Sequence, residues 1–259
     1  MIRTTTVAGS FYPSEKEEII RYIDRFNSVL RQHAIVIDAM PKAVIVPHAG
    51  YIYSGFSANV AYRALADTAR KRFAVIGPSH RVAFSGISMC NFSAYDTPLG
   101  ALQGDKELFE LLHAEYALTC KDVHFEHSTE TQFPFLKHYI PDAAIIELIY
   151  GDADATELSK IIDTLLAEDI GIIISTDLSH FYDQEHASML DSICIEAIRS
   201  LDNAKLHNGC EACGKIGVDA MLQSAKRADL RPTVLDYRTS ADASGDTSSV
   251  VGYLSAAFS

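Results

Sequence analysis

Three apolar runs in this chain each lead into a segment bearing a histidine. They are Ala43-Val44-Ile45-Val46-Pro47-His48, Phe73-Ala74-Val75-Ile76-Gly77-Pro78-Ser79-His80 and Gly171-Ile172-Ile173-Ile174-Ser175-Thr176-Asp177-Leu178-Ser179-His180. In an α/β sheet the carboxyl ends of parallel strands share one edge, and ligand sites form there. Histidines placed at strand ends therefore converge although the sequence separates them widely. Converging imidazoles suit metal ligation or proton transfer.

Around His48, Gly50 and Gly55 let the backbone turn sharply and leave room beside the ring. Gly77-Pro78-Ser79 forms a rigid turn that fixes the direction of His80. Asp177 and His180 share one loop, where a carboxylate can orient an imidazole and raise its basicity for acid/base work. The competing reading of Asp177 is an N-cap for the following helix. Glu126-His127-Ser128-Thr129-Glu130 places two carboxylates around an imidazole, against the alternative of a capped turn with solvated charges. Cys210-Glu211-Ala212-Cys213 is a CxxC without the second pair that a zinc ribbon needs. Cys213 directly precedes a helix start, where free N–H groups stabilise a thiolate. There is no P-loop, no dinucleotide fingerprint and no Gly-x-Ser-x-Gly elbow.

The elements that must position these residues follow from periodicity. Ser14 and Glu17 fit a capping box ahead of a helix whose Ile19, Ile20, Ile23, Phe26 and Leu30 share a face. Strands are expected at 42–47, 72–76, 85–90, 143–150, 170–176, 232–238 and 250–258. Helices are expected at 57–65, 105–114, 155–167, 184–200 and 214–227. His48–Gly55 reads as a loop, as does Thr239–Ser249 with its Ser, Asp and Gly. Unbroken strand–helix alternation predicts an α/β fold: a single domain over residues 1–259, with a mixed, mostly parallel central sheet and helices on both faces.

Composition sets the outer bounds. With 259 residues, 48% of them hydrophobic, the chain suits a packed α/β domain. A net charge of −12 repels phosphate backbones, so nucleic acid is not an expected partner. No apolar run approaches the roughly 20 residues that span a bilayer, so no membrane association is expected. Cys90, Cys120, Cys194, Cys210 and Cys213 are odd in number and lack framework spacing. The N-terminal Met1-Ile2-Arg3-Thr4-Thr5-Thr6 lacks the apolar core of a signal peptide. Together these predict a soluble cytoplasmic protein with free thiols.

Val46-Pro47-His48-Ala49-Gly50-Tyr51, Gly77-Pro78-Ser79-His80, Glu126-His127-Ser128-Thr129-Glu130 with Pro134, Ser175-Thr176-Asp177-Leu178-Ser179-His180, and Cys213-Gly214 with Ile216-Gly217-Val218 resemble the Memo family. This is the mediator of ErbB-driven cell motility family, called AmmeMemoRadiSam system protein B in microbes. Val7-Ala8-Gly9-Ser10-Phe11-Tyr12-Pro13 resembles its start.

The resemblance implies a fold like that of the class III extradiol dioxygenases, which are non-haem iron enzymes. It implies metal ligation by His48, His80 and Cys213, an acid/base role for His180, and His127 in the same pocket. A cysteine stands where the dioxygenases carry a carboxylate, which shifts preference toward softer ions such as copper or zinc while still accommodating Fe(II). The family name implies association with a radical-SAM protein and an AMMECR-type protein.

The leading expectation is a dioxygenase-like, Fe(II)-dependent oxidoreductase acting on a small molecule, with His180, His127 and Asp177 handling protons. The alternatives are a non-catalytic metal-binding or protein-interaction module and a zinc-dependent hydrolase. The ligands should lie within a few ångströms of one another at the carboxyl edge of the sheet. His180 should stand outside the ligand set, and Cys210 should be a bystander.

Overall fold

The apolar segments of this chain are continuous rather than alternating, which is the pattern of strands covered on both faces. The computed structural model, which describes residues 1–32 and 40–259, builds them into a sheet between two helical layers. In chain order the strands are β1 (Ile2–Arg3), β2 (Ala43–Val46), β3 (Arg72–Pro78), β4 (Ile87–Met89), β5 (Ala94–Tyr95), β6 (Leu102–Gly104), β7 (Ala144–Tyr150), β8 (Gly171–Ser175), β9 (His180–Tyr182), β10 (Pro232–Thr239) and β11 (Val250–Phe258). The helices are α1 (Lys16–Gln32), α2 (Tyr51–Ala66), α3 (Lys106–Tyr116), α4 (His127–Glu130), α5 (Phe133–Tyr139), α6 (Ala155–Ala167), α7 (Gln184–Arg199), α8 (Asn203–His207), α9 (Lys215–Arg227) and α10 (Ala241–Ser244).

The strand order is β1-β5-β6-β7-β3-β8-β2-β11-β10, with β4 on β7 and β9 on β11. The centre is parallel: Ala74 pairs with Ile146 on one side and Ile172 on the other, and Ile45 pairs with Ile174. β11 then runs antiparallel to β2, and β10 antiparallel to β11. The sheet is thus mixed with a parallel core. The strands β3, β8 and β2 are neighbours, so their carboxyl ends open onto one edge.

Successive residues of these strands supply opposite cores. Ala43, Ile45, Ile76, Ile172 and Ile174 pack with Leu158 and Ile162 of α6, Ile198 of α7 and Leu222 of α9. Val44, Val46, Phe73, Val75 and Ile173 pack with Ile19 and Ile23 of α1, Val60 of α2 and Leu136 of α5. Each fully buried isoleucine or valine contributes about 1.5–3 kcal/mol of transfer free energy. The strand edge is therefore a stiff platform.

Two local expectations change. The expected loop His48–Gly55 is mostly helix, because α2 begins at Tyr51. Tertiary contacts hold this first turn. Tyr51 N–H donates to Phe11 O at 2.8 Å, and its ring stacks on Phe135 at 4.5 Å. Short α10 also lies inside the Thr239–Ser249 segment read as a loop.

The thiol expectation is corrected as well. Cys90 is joined to Cys120, and Cys194 to Cys210, with Cα atoms 4.5 and 4.9 Å apart, inside the range a disulfide spans. Among the described residues Cys213 is the free cysteine. Spacing gave no warning, because folding brings together residues 30 and 16 positions apart. No helix among the described residues is long and apolar enough to cross a membrane.

The N-terminal segment is fastened by one buried carboxylate. Glu130 accepts from Arg3 Nη1 at 2.6 Å, Thr6 Oγ1 at 2.6 Å, Val7 N at 2.8 Å, Tyr12 Oη at 2.9 Å and Thr6 N at 2.8 Å. Burial alone would raise this carboxyl, but Arg3 and the Thr6 and Val7 donors hold it below the ordinary range. A group depressed in the folded state stabilises above its unfolded pKa of about 4.3 and loses that contribution as pH falls through the folded value.

Glu130→Gln, which leaves Arg3 buried without its anionic partner, is expected to cost about 3–5 kcal/mol in urea denaturation at neutral pH. The difference from the parent should shrink as pH falls below about 4. Equal stability of the two proteins at pH 7 would contradict this account of the N-terminal fastening.

Candidate metal centre

His48 follows β2, His80 follows β3 and Asp177 follows β8, so the parallel trio delivers all three to one edge. Cys213 reaches the same place from the loop before α9. One donor atom from each of His48, His80 and Cys213 lies within 4.8 Å of the others. Cys213 Sγ is 3.4 Å from His48 Nε2.

The tautomer of His48 can be derived from its neighbours. Ser175 Oγ donates its single proton to Ser128 O. It already accepts from Gln132 Nε2 at 3.0 Å. Toward His48 Nδ1, 2.9 Å away, it can therefore only accept. Nδ1 carries the proton, and the Nε2 lone pair faces Cys213. Complete burial, followed by the nearby His80 and His127, pushes the His48 pKa well below its usual value. The ring is held neutral, the form that binds metal.

Glu126 does the equivalent for two further imidazoles. Its Oε1 lies 3.3 Å from His80 Nδ1 and 2.7 Å from His127 Nδ1. The same carboxylate accepts from His80 N at 2.6 Å, His127 N at 2.8 Å and Arg81 N at 3.2 Å. Burial would raise the Glu126 carboxyl, but His127 and His80 hold it far below the carboxylate range. As an anion it can only accept, so both Nδ1 atoms donate and both Nε2 atoms are left for the site. Burial works against charge on His80, but Cys213 and Glu126 push its pKa up to about 10, so its Nε2 proton must leave before that nitrogen can ligate a cation. His80, Glu126 and His127 also form a second compact donor group. The ring centroids of His48, His80 and His127 are mutually 4.7–5.4 Å apart, and Phe11 lies 4.6 Å from His127.

The sulfur is set by close backbone approach. Gly214 N donates to Thr176 Oγ1 at 2.8 Å, and a Cβ on Gly214 would stand 2.6 Å from Thr176 Cβ and 2.8 Å from Ser175 O. Only glycine admits this approach of the loop to β8. Asp177 N–H then points at Cys213 Sγ from 3.3 Å. A cation between two imidazole Nε2 atoms and a thiolate fits this donor set.

Asp177 is not a helix N-cap: Asp183 caps α7, and Asp177 Oδ1 instead accepts from His48 N at 2.7 Å. Burial pushes the Asp177 carboxyl up, against the donor from His48 and the fields of nearby imidazoles. His180 opens β9 opposite Val251 of β11 and falls in neither compact donor group. Its loop hangs on α7 and β11. Ser179 N donates to Asp191 Oδ1 at 2.9 Å, and Gly252 leaves space that a Cβ would lose to Asp191. The following Phe181 has φ +66° and is 79% exposed, which places a strained aromatic beside His180.

Sequence reasoning did not single out Ser175, Gln132 or Phe11. Ser175 was visible at the end of the third apolar run, but its role depends on Gln132 and Ser128 arriving from another segment. The solvated-charge reading of Glu126 and Glu130 fails, since both are fully buried.

The profile of the family described as Memo-like protein matches residues 3–257. A MEMO1 family protein of Aquifex aeolicus (strain VF5) is 33% identical over 270 residues, covering 99% of each chain. Another, of Methanobrevibacter smithii, is 34% identical over 281 residues and covers 100% of both. A solved structure of an uncharacterized protein from Escherichia coli K12 superposes with a TM-score of 0.56 at 17% identity, covering 84% of this chain and 98% of that one, a likeness of fold alone. With its profile match and these relatives spanning nearly the whole chain, the protein belongs to the Memo-like family.

Proposed function

We propose that this chain is a metal-binding protein that holds a divalent ion, Fe(II) foremost, through His48 Nε2, His80 Nε2 and Cys213 Sγ, and that it acts as a non-haem oxidoreductase. The observation that carries the reading is the convergence of three donors within 4.8 Å, with the His48 proton fixed on the far nitrogen by Ser175. His48, His80 and Cys213 would hold the ion, and Fe(II) bound there would supply electrons for dioxygen chemistry.

The remaining roles belong to the protein. Glu126 keeps the rings of His80 and His127 aligned. Asp177 orients His48 through its backbone N–H. His180, on a separately anchored strand, exchanges protons with substrate, with His127 and Asp177 facing the same space. Phe11 covers the His127 ring and limits water there.

The soft thiolate donor favours a second reading, a zinc-dependent hydrolase with metal-bound water as nucleophile. Anaerobic purification followed by elemental analysis decides between them. Stoichiometric iron is the expected result, stoichiometric zinc supports the hydrolase, and absence of any bound metal contradicts both.

Single replacements His48→Ala, His80→Ala and Cys213→Ser should each weaken metal affinity by more than about 100-fold while the thermal transition stays cooperative. Supporting residues typically account for only about 10–100-fold, and Glu126→Gln is expected in that smaller range. Parent-like affinity in any of the three ligand variants would remove that residue from the set. His180→Ala should bind metal within about threefold of the parent and lose about 10²–10⁴ in any proton-coupled turnover. Metal loss comparable to that of His48→Ala would instead make His180 a ligand.

A further inference from the structure

Cys213 sits at the end of an irregular segment, and the feature that fixes this segment lies three residues before it. After α8 the chain turns at Gly209, whose φ of +109° puts Cys210 against α7. There Cys210 is bonded to Cys194, and both residues are 1% exposed. Ala212 is buried next, and Lys215 Nζ reaches back to Cys210 O at 3.2 Å. The segment from Cys210 to Cys213 is thus held between a covalent anchor on α7 and the Thr176–Gly214 contact on β8.

The opposite end of the site hangs from the same helix. Asp191, three residues before Cys194 and so on the same face of α7, receives Ser179 N and Tyr237 Oη at 2.9 Å each. One buried turn of α7 therefore braces both the His180 loop and the Cys213 loop.

We infer that the Cys194–Cys210 disulfide is a positioning element for the Cys213 ligand, which makes the metal affinity of this site depend on the redox state of a bond that takes no part in ligation. The inference rests on the metal-binding reading given above. With the anchor intact, the Cys213 loop is confined to the ligating arrangement. With it broken, ligation must also confine the loop, and the apparent dissociation constant rises by the inverse of the competent fraction. The second disulfide, Cys90–Cys120, joins the loop after β4 to the segment after α3 and does not brace the Cys213 loop. It serves as an internal control.

Co(II) is the probe, because thiolate ligation gives a charge-transfer absorption that reports on Cys213 itself. Cys194→Ala/Cys210→Ala should raise the Co(II) dissociation constant at least tenfold and speed Co(II) release. Cys90→Ala/Cys120→Ala should leave both within twofold, whatever it does to the melting temperature. The parent protein can also be reduced with a water-soluble phosphine, which takes up water oxygen to become the phosphine oxide as the disulfide becomes two thiols. Mass spectrometry checks the reduction, and after phosphine removal the protein should behave like the first variant, which keeps the test available if that variant does not fold.

Parent-like Co(II) affinity in the folded Cys194→Ala/Cys210→Ala protein or in the reduced parent overturns the positioning role. An equal loss in the Cys90→Ala/Cys120→Ala control overturns it too, by showing a general effect of disulfide loss. Cys213→Ser separates the two readings. Loss of the charge-transfer band there upholds the metal site independently, whereas an unchanged spectrum removes the site and this inference with it.

Discussion

A buried carboxylate must be matched by donors or it destabilises the fold, and the short helix α4 carries that demand at both ends. Glu126, at its N-cap, is matched by His80, His127 and the backbone around them. Glu130, at its end, is matched by Arg3 and the Thr6–Tyr12 segment. One turn of helix thereby couples imidazole orientation to the course of the N-terminal chain. That course in turn places Phe11 on His127 and presents Phe11 O to the first turn of α2. The site depends on these two anions being satisfied together.

The sheet contributes direction and the loops contribute chemistry. β3, β8 and β2 are parallel neighbours, so the exits toward His80, Asp177 and His48 lie side by side. Such strands must be apolar on both faces, which leaves polar function to the residues just beyond them. Ser175 marks the crossing point: its backbone still pairs with Val46, while its hydroxyl fixes the His48 proton. Cys213 enters from the other direction, beside a glycine that lets helix α9 approach the strand ends closely.

Much of this was legible in the sequence because it follows from short-range pattern. The continuous apolar runs gave β2, β3, β7 and β8, and the 3.6-residue period gave α1, α6, α7 and α9 to within a few residues. The strand-end histidines pointed to a shared edge. What escaped depended on contacts between distant segments. The two-residue strands β1 and β5 have no period to read, and α2 begins early only because Phe11 and Phe135 support Tyr51. Cysteine counting predicted free thiols, and spacing alone could not reveal that Cys194 and Cys210 meet. For Glu126 a solvated loop charge stayed open as an alternative because its partners lie 46 residues away as well as next door.

The central claim is that two imidazoles from neighbouring strand ends and one thiolate from the loop before α9 hold a metal ion together. X-ray absorption at the zinc edge of the zinc-loaded protein tests it most directly, since sulfur and nitrogen scatter at separable distances. The account predicts one sulfur at about 2.3 Å and two imidazole nitrogens at about 2.0–2.1 Å. A first coordination sphere of nitrogen and oxygen alone, with no sulfur, would contradict it.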